Sequence, residues 1–504
     1  MDLIKHLILE IYSSEEVFLT LMQMGATSQQ VFTFFAYFAV LILVALLSYR
    51  KQKSDRDFLI GNRSLNFWLT ALSAHASDMS SWLFLAYPAA IFMGGLISSW
   101  AAIGLTLGMF LNWQFIAPKI RIATEKLGSV TLSSYFESRF SDTSGSIRII
   151  SAVMSLLFFT FYISSGIVAM GMLVENLFNL NYLVGISIGL GIVMLYVFMG
   201  GYRTVAWVDL FQGFFLLGVI LFIPLYLITS YGGMDPILHA VRAKNLSTSL
   251  LPDLSPFTLW TILMTAAGWG LGYFGQPHII TKFMGIRRVE EMSKAKYLGI
   301  GWQILTLGSA TLVGLLGIYI FPQGLANPEH VILNIVKTTL APFFAGLVLC
   351  AILAATTNVM AAQILVVASN ISEDFYKRIF HRSASEGLLL WVSRGSVLLI
   401  SLISFTIAFF KISSIFKLVQ YSWSGLGASF GPLLILSLYS KRVNKYGAFA
   451  GILMGGLTAA IWPYFEKNMS LPVPSLVMGF VLSLIAIEGV SFLTRKRLSA
   501  ALEF

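Results

Sequence analysis

Apolar residues in this chain come in blocks of about 20, the length an α-helix needs to cross a hydrocarbon core of about 30 Å. A bilayer core offers no water to backbone N–H and C=O groups, so each block must be a helix that satisfies its own hydrogen bonds. The blocks are apolar all round and not along one stripe, which sets them apart from helices that lie on a soluble core. Only 11% of residues are charged, where a soluble domain carries about 25%. Thirteen spans are expected, near residues 31–50, 66–93, 99–118, 147–173, 181–199, 204–230, 257–281, 297–321, 338–371, 388–410, 415–438, 447–464 and 473–493. The expected class is an all-α polytopic membrane protein.

The formal net charge is +10, but the basic residues lie in short loops between spans, which excludes a nucleic-acid surface and instead sets orientation. Loops on one side hold 26 of the 33 Lys and Arg residues. That asymmetry predicts a multi-pass protein of the cell's inner membrane with its N-terminus outside and its C-terminus in the cytoplasm. The one cysteine, Cys350, sits in an apolar block and forms no disulfide framework. Residues 1–30 carry Glu10, Glu15 and Glu16 and do not read as a cleavable signal peptide.

Two spans are interrupted. The second contains Ala74-His75-Ala76-Ser77-Asp78-Met79-Ser80-Ser81, a polar stretch with a carboxylate at membrane depth. Either the helix is broken there to bind an ion and a solute, or Asp78 caps a half-helix against a buried polar neighbour. The seventh contains Ala267-Gly268-Trp269-Gly270-Leu271-Gly272-Tyr273-Phe274-Gly275-Gln276-Pro277, whose glycines and proline unwind a helix. Trp269 and Tyr273 are four apart and share one face if the local turn is helical; the alternative is close packing through glycine. Breaks at spans 2 and 7 fit the first helices of two five-helix repeats of opposite topology, the arrangement that places a transport site at the repeat interface. Asp209 either attracts cations at an inner vestibule or pairs with Arg203. Tyr162 lines a cavity or joins a packed aromatic run, and His278 reads as structural. HExxH and P-loop patterns are missing and no GxSxG lies on a strand-turn-helix, so an enzyme is not expected. The GxxxG matches at Gly104–Gly108 and Gly451–Gly455 signal helix packing.

At these breaks, and at Ile371-Ser372-Glu373-Asp374-Phe375-Tyr376-Lys377 and Trp423-Ser424-Gly425 through Phe430-Gly431-Pro432, the chain resembles the proline-carrying members of the sodium:solute symporter family, from about residue 33 to 495. The resemblance implies a leucine-transporter-type core with one helix before it and two after. The boundaries are 1–30 extension, 31–65 first helix and loop, 66–230 and 257–438 inverted repeats, and 439–504 two last helices and tail. It implies symport of proline or a similar small amino acid with sodium. It places Asp78, the carbonyls of Ala76, Met79 and Ala355, and Asn358 at the sodium site. It places Ser80, Ser81, Tyr162, Trp269, Tyr273 and Pro277 at the substrate, and Arg63 and Asp209 at positions linked to sodium dependence. Two positions depart from the family. Asn358-Val359 stands where two hydroxyl residues are usual, which leaves the site one side-chain oxygen short; weaker sodium binding, another cation such as the proton, and loss of coupling stay open. Ser81 stands where glycine is frequent, which leaves another small solute open as the substrate. A transporter-derived sensor is a remote alternative.

Overall fold

The structure is a computed structural model that describes residues 28–48, 60–178, 181–381, 383–466 and 468–495. Most of the expected N-terminal extension lies outside the described residues, as do Arg50, Lys51, Lys53, Arg56, Arg382, Lys467, Lys496 and Arg497 of the charge count. Helices account for nearly all of the rest, and the bridges Leu65–Ile286 and Gly95–Ser247 are isolated pairs outside any strand.

Among the described residues, nine helical runs are long and apolar enough to cross a membrane. The first is α1 (Ser28–Ser48). The second expected span is two half-helices, α2 (Phe67–Ala76) and α3 (Tyr87–Gly94), the latter entered through a widened turn at Trp82–Ala86. The third is α4 (Trp100–Leu111) and α5 (Ala117–Lys126), joined by a widened turn at Asn112–Ile116. After α6 (Leu132–Arg139) comes α7 (Ser146–Phe178).

The next element differs from expectation. A loop was expected at 200–203, yet helical backbone runs unbroken through α8 (Tyr182–Ser230). Its contacts nevertheless reverse direction. The Tyr182 hydroxyl donates to Ala408 O at 2.8 Å, the Tyr202 hydroxyl to Thr281 O at 3.2 Å, and Phe222 stacks on Phe344 at 4.9 Å. Ala408 and Phe344 lie at helix ends on one side of the molecule, and Thr281 lies on the other. The chain therefore crosses twice within α8.

The second half follows with α9 (Asp235–Ala243), α10 (Pro256–Gly270), a tight turn at Leu271–Gly275, and α11 (Pro277–Met284). Then come α12 (Met292–Ile320), α13 (Val331–Thr339) and α14 (Pro342–Ser369), which continues in a widened turn to Phe380. The last are α15 (Glu386–Phe409), α16 (Ile415–Tyr439), α17 (Lys445–Ile461) and α18 (Ser475–Leu493). The breaks shorten spans 2 and 7, which is why neither qualifies by length although both are present.

Both GxxxG pairs pack helices. A Cβ on Gly108 would collide with the Gly270 carbonyl, and one on Gly455 with that of Ala428. The Ile371–Lys377 motif has an electrostatic reason. Asp374 Oδ1 accepts from Arg148 Nε at 2.7 Å and Thr131 Oγ1 at 3.0 Å. Glu137 joins Arg148 and Arg378 at 3.0 and 2.8 Å, which ties the end of α14 to α6 and α7.

Candidate functional site

Asn66 starts α2 by accepting from the Leu69 N–H at 3.0 Å. The helix cannot continue past Ala76, because the Asp78 and Met79 N–H groups both fold back onto His75 O, at 3.3 and 3.2 Å. Residues 77–80 are non-helical, and the Ser80 hydroxyl accepts from the Trp82 N–H at 3.2 Å as the helix resumes. Ala76 and Met79 flank Asp78 at this interruption.

Asp78 is buried in its own half of the molecule, yet it is joined to the other. Its Oδ2 accepts from the Tyr273 hydroxyl, and Tyr273 accepts from Gln303 Nε2 at 3.1 Å. The Tyr162 hydroxyl lies beside Ser80 and Asp78. The Ser81 hydroxyl is buried without a partner. The Asp78 carboxylate, the hydroxyls of Tyr273, Tyr162 and Ser80, and the Gln303 amide thus converge where the two broken spans meet.

The glycines of the seventh span serve both readings. A Cβ on Gly272 would strike the Trp423 indole, and one on Gly275 the backbone at Leu426 and Gly431, so glycine lets α16 dock on the unwound turn. Trp423 Nε1 donates to Trp269 O at 2.8 Å. Trp269 and Tyr273 do not form one wall. The backbone tightens after Gly270, so four residues no longer return to one face. Trp269 packs on Trp82 at 4.8 Å and Phe416 at 5.6 Å, beside a cavity of about 280 Å³ flanked by α10. Tyr273 is fully buried and turns its hydroxyl to Asp78. Pro277 lies on the opposite side, at a cavity of only about 20 Å³ that it shares with His278 and Lys282.

On α14, Ala355 and Asn358 are buried, and both polar atoms of the Asn358 amide are without a partner. Thr356 and Thr357 lie on other faces of the helix. Their hydroxyls bond Ile352 O and Leu353 O at 2.7 and 2.8 Å. Val359 is buried beside them and offers no oxygen.

Asp209 does not pair with Arg203. Its Oδ2 accepts from Lys282 Nζ at 3.0 Å and from the Ser73 hydroxyl. Lys282, counted above as a loop cation, is 2% exposed, and burying it requires an adjacent counter-charge, which Asp209 supplies. Arg63 is not with Asp78. It binds Thr124 O and Ser129 O at 3.0 Å and Met284 O at 3.1 Å, bracing the start of span 2 against α5 and α11. Gln303 is a site residue the sequence reading missed; a lone amide within an apolar block was its signal.

A family model described as the sodium:solute symporter family matches residues 58–455. The high-affinity proline transporter PutP of Bacillus subtilis is 38% identical over 462 residues, 90% of this chain and 96% of that protein. The sodium/proline symporter of Escherichia coli is 37% identical over 489 residues, 95% and 96% of the two chains. Among solved structures, a sodium-coupled sialic acid symporter, substrate-bound and outward-open, superposes with a TM-score of 0.79 at 19% identity over 93% of this chain and 98% of its own. MhsT in complex with L-phenylalanine gives 0.54 at 13% identity over 84% and 98%.

Proposed function

The chain belongs to the sodium:solute symporter family, and on that premise we propose that it carries proline, or a similar small amino acid, into the cell together with sodium. The fold is the leucine-transporter type with two inverted five-helix repeats, and the members of this family are transporters and not enzymes. The observation that carries the site assignment is the Tyr273–Asp78 hydrogen bond, which joins the broken helix of one repeat to that of the other.

Asp78, the carbonyls of Ala76, Met79 and Ala355, and the amide oxygen of Asn358 are the proposed sodium ligands. An unpartnered buried amide oxygen suits a hard cation, which takes oxygen donors. Ser80, Ser81, Tyr162, Trp269 and Pro277 are the proposed substrate contacts, with Tyr273 anchoring the carboxylate between them. The repeats are taken as 66–230 and 257–438, with the N-terminus outside and the C-terminus in the cytoplasm. In that orientation the cavity of about 280 Å³ is on the outer side and the one of about 20 Å³ on the inner. Pockets for drug-sized ligands span about 300–1,000 Å³, so the outer one suits a smaller solute. Alternating access then requires the outer cavity to close and the inner one to open.

The test is uptake of labelled proline into proteoliposomes under an inward sodium gradient, with potassium as the control and a panel of amino acids as competitors. Sodium-driven accumulation that Asp78→Asn abolishes is expected. Accumulation by a well-inserted Asp78→Asn protein would refute the site. A second reading, weakened sodium coupling, is favoured by Val359.

A further inference from the structure

Behind Tyr273 the hydrogen bonds continue in one direction. Trp113 Nε1 donates to His75 Nε2 at 3.0 Å. A neutral imidazole accepting at Nε2 carries its proton on Nδ1. That Nδ1 is buried and unpartnered, and so is Gln303 Oε1. The Gln303 amide is the side chain beside the His75 ring, and Gly299, one turn before Gln303, lets the ring approach, since a Cβ there would collide with it. A buried donor and a buried acceptor, adjacent and both unmet, complete one another by a small rotation, and buried polar groups are seldom left unpaired. From Gln303 the order is already closed: its Nε2 donates to the Tyr273 oxygen at 3.1 Å, and Tyr273 donates to Asp78.

The sequence of donors is thus Trp113, His75, Gln303, Tyr273, with the Asp78 carboxylate last. Each link restricts the next. With its oxygen accepting from Gln303, the Tyr273 hydroxyl has its hydrogen free to give, and Asp78 takes it on one oxygen. The other oxygen accepts from no protein group among the described residues, and it faces whatever cationic group the site receives. Trp113, His75, Gln303 and Tyr273 are all buried, so water does not scramble the order.

We propose that His75 and Gln303 are positioning residues of the transport site: they fix Tyr273 as a donor and so orient the Asp78 carboxylate for its cationic ligand, touching neither. The proposal rests on the reading that Asp78 belongs to that site. The cationic ligand is either the coupling ion or the amino group of the solute.

The experiment is a double-mutant cycle in proteoliposomes, with rates expressed per inserted transporter. Gln303→Leu and Tyr273→Phe are made singly and together; Gln303→Met replaces Leu if the leucine variant does not accumulate. Loss of one indirect hydrogen bond predicts a rise of roughly two- to tenfold in half-saturation, with a smaller fall in maximal rate. A rise in the proline constant identifies the amino group, and a rise in half-activating sodium identifies the ion. The double variant should be no worse than Tyr273→Phe alone, because Gln303 acts through the hydroxyl. Effects that multiply, or an unchanged half-saturation in the Gln303 variant, overturn the proposal. Asp78→Asn is run alongside. If it keeps normal affinity, the site reading itself fails; if it loses uptake while the cycle is multiplicative, only the positioning role fails.

Discussion

The Asn358-Val359 pair should set an unusually high sodium requirement. A sodium ion leaving water needs protein oxygens to replace its hydration shell. The proposed site has the Asp78 carboxylate, the main-chain carbonyls of Ala76, Met79 and Ala355, the Asn358 amide oxygen, and no side-chain oxygen from Val359. The neighbouring Thr356 and Thr357 project from other faces of α14, where their hydroxyls donate to Ile352 O and Leu353 O. One missing contact to a charged group costs about 1.5–3 kcal/mol, which is about ten- to a hundredfold in affinity. The assay is initial proline uptake against sodium concentration, at fixed membrane potential and at two pH values. Half-activation should come at high sodium, or protons should replace sodium in part. Asn358→Ser with Val359→Thr should then lower the requirement by a similar factor. If the native protein saturates at low sodium, and the double variant gains nothing, then the Asn358 amide with water completes the shell and the ligand count is wrong.

Three further outcomes are expected. Lys282→Met leaves the Asp209 carboxylate buried without its counter-charge, so the purified protein should lose about 3–5 kcal/mol of stability, while Lys282→Met with Asp209→Leu should recover most of it; thermal unfolding in detergent measures both, and a single variant as stable as the native protein refutes the pairing. Trp269→Ala opens the stack on Trp82 and Phe416 and should raise the proline half-saturation constant by up to about tenfold, from about 0.5–1.5 kcal/mol per aromatic pair; Trp269→Phe should stay near native, and equal constants in all three would remove Trp269 from the pocket. Glu329 accepts from the Ile415 and Phe416 N–H groups at 3.2 and 2.8 Å, holding the start of α16 whose Phe416 packs on Trp269. Losing this cap costs about 0.5–2 kcal/mol, so Glu329→Ala should slow maximal uptake more than Glu329→Gln, and identical rates would show that the contact does not govern closure.

What could be read from the sequence followed from what the bilayer forbids. Unwound backbone at membrane depth is tolerated only beside a cavity or within protein, so Asp78 among small polar residues and the glycine run ending at Pro277 marked the candidate site, and both breaks lie where expected. A change of direction near 200–203 was legible from the spans, but the helical backbone there was not. Lys282 was misread: a lysine seven residues past a break counts as a loop charge until Asp209, 73 positions earlier, is found at 3.0 Å. Gln303 and His75 were hidden differently. Neither carries a charge at neutral pH that would force attention, and a lone amide in a long apolar helix has no spacing to betray its partner. Their proposed roles depend on α12 placing Gln303 beside both His75 and Tyr273. Pattern therefore locates where a membrane chain must be broken, while Tyr273, Gln303 and Trp113, which the proposal links to the carboxylate, come from other stretches of chain. Those groups are set by packing between repeats, which no single span records.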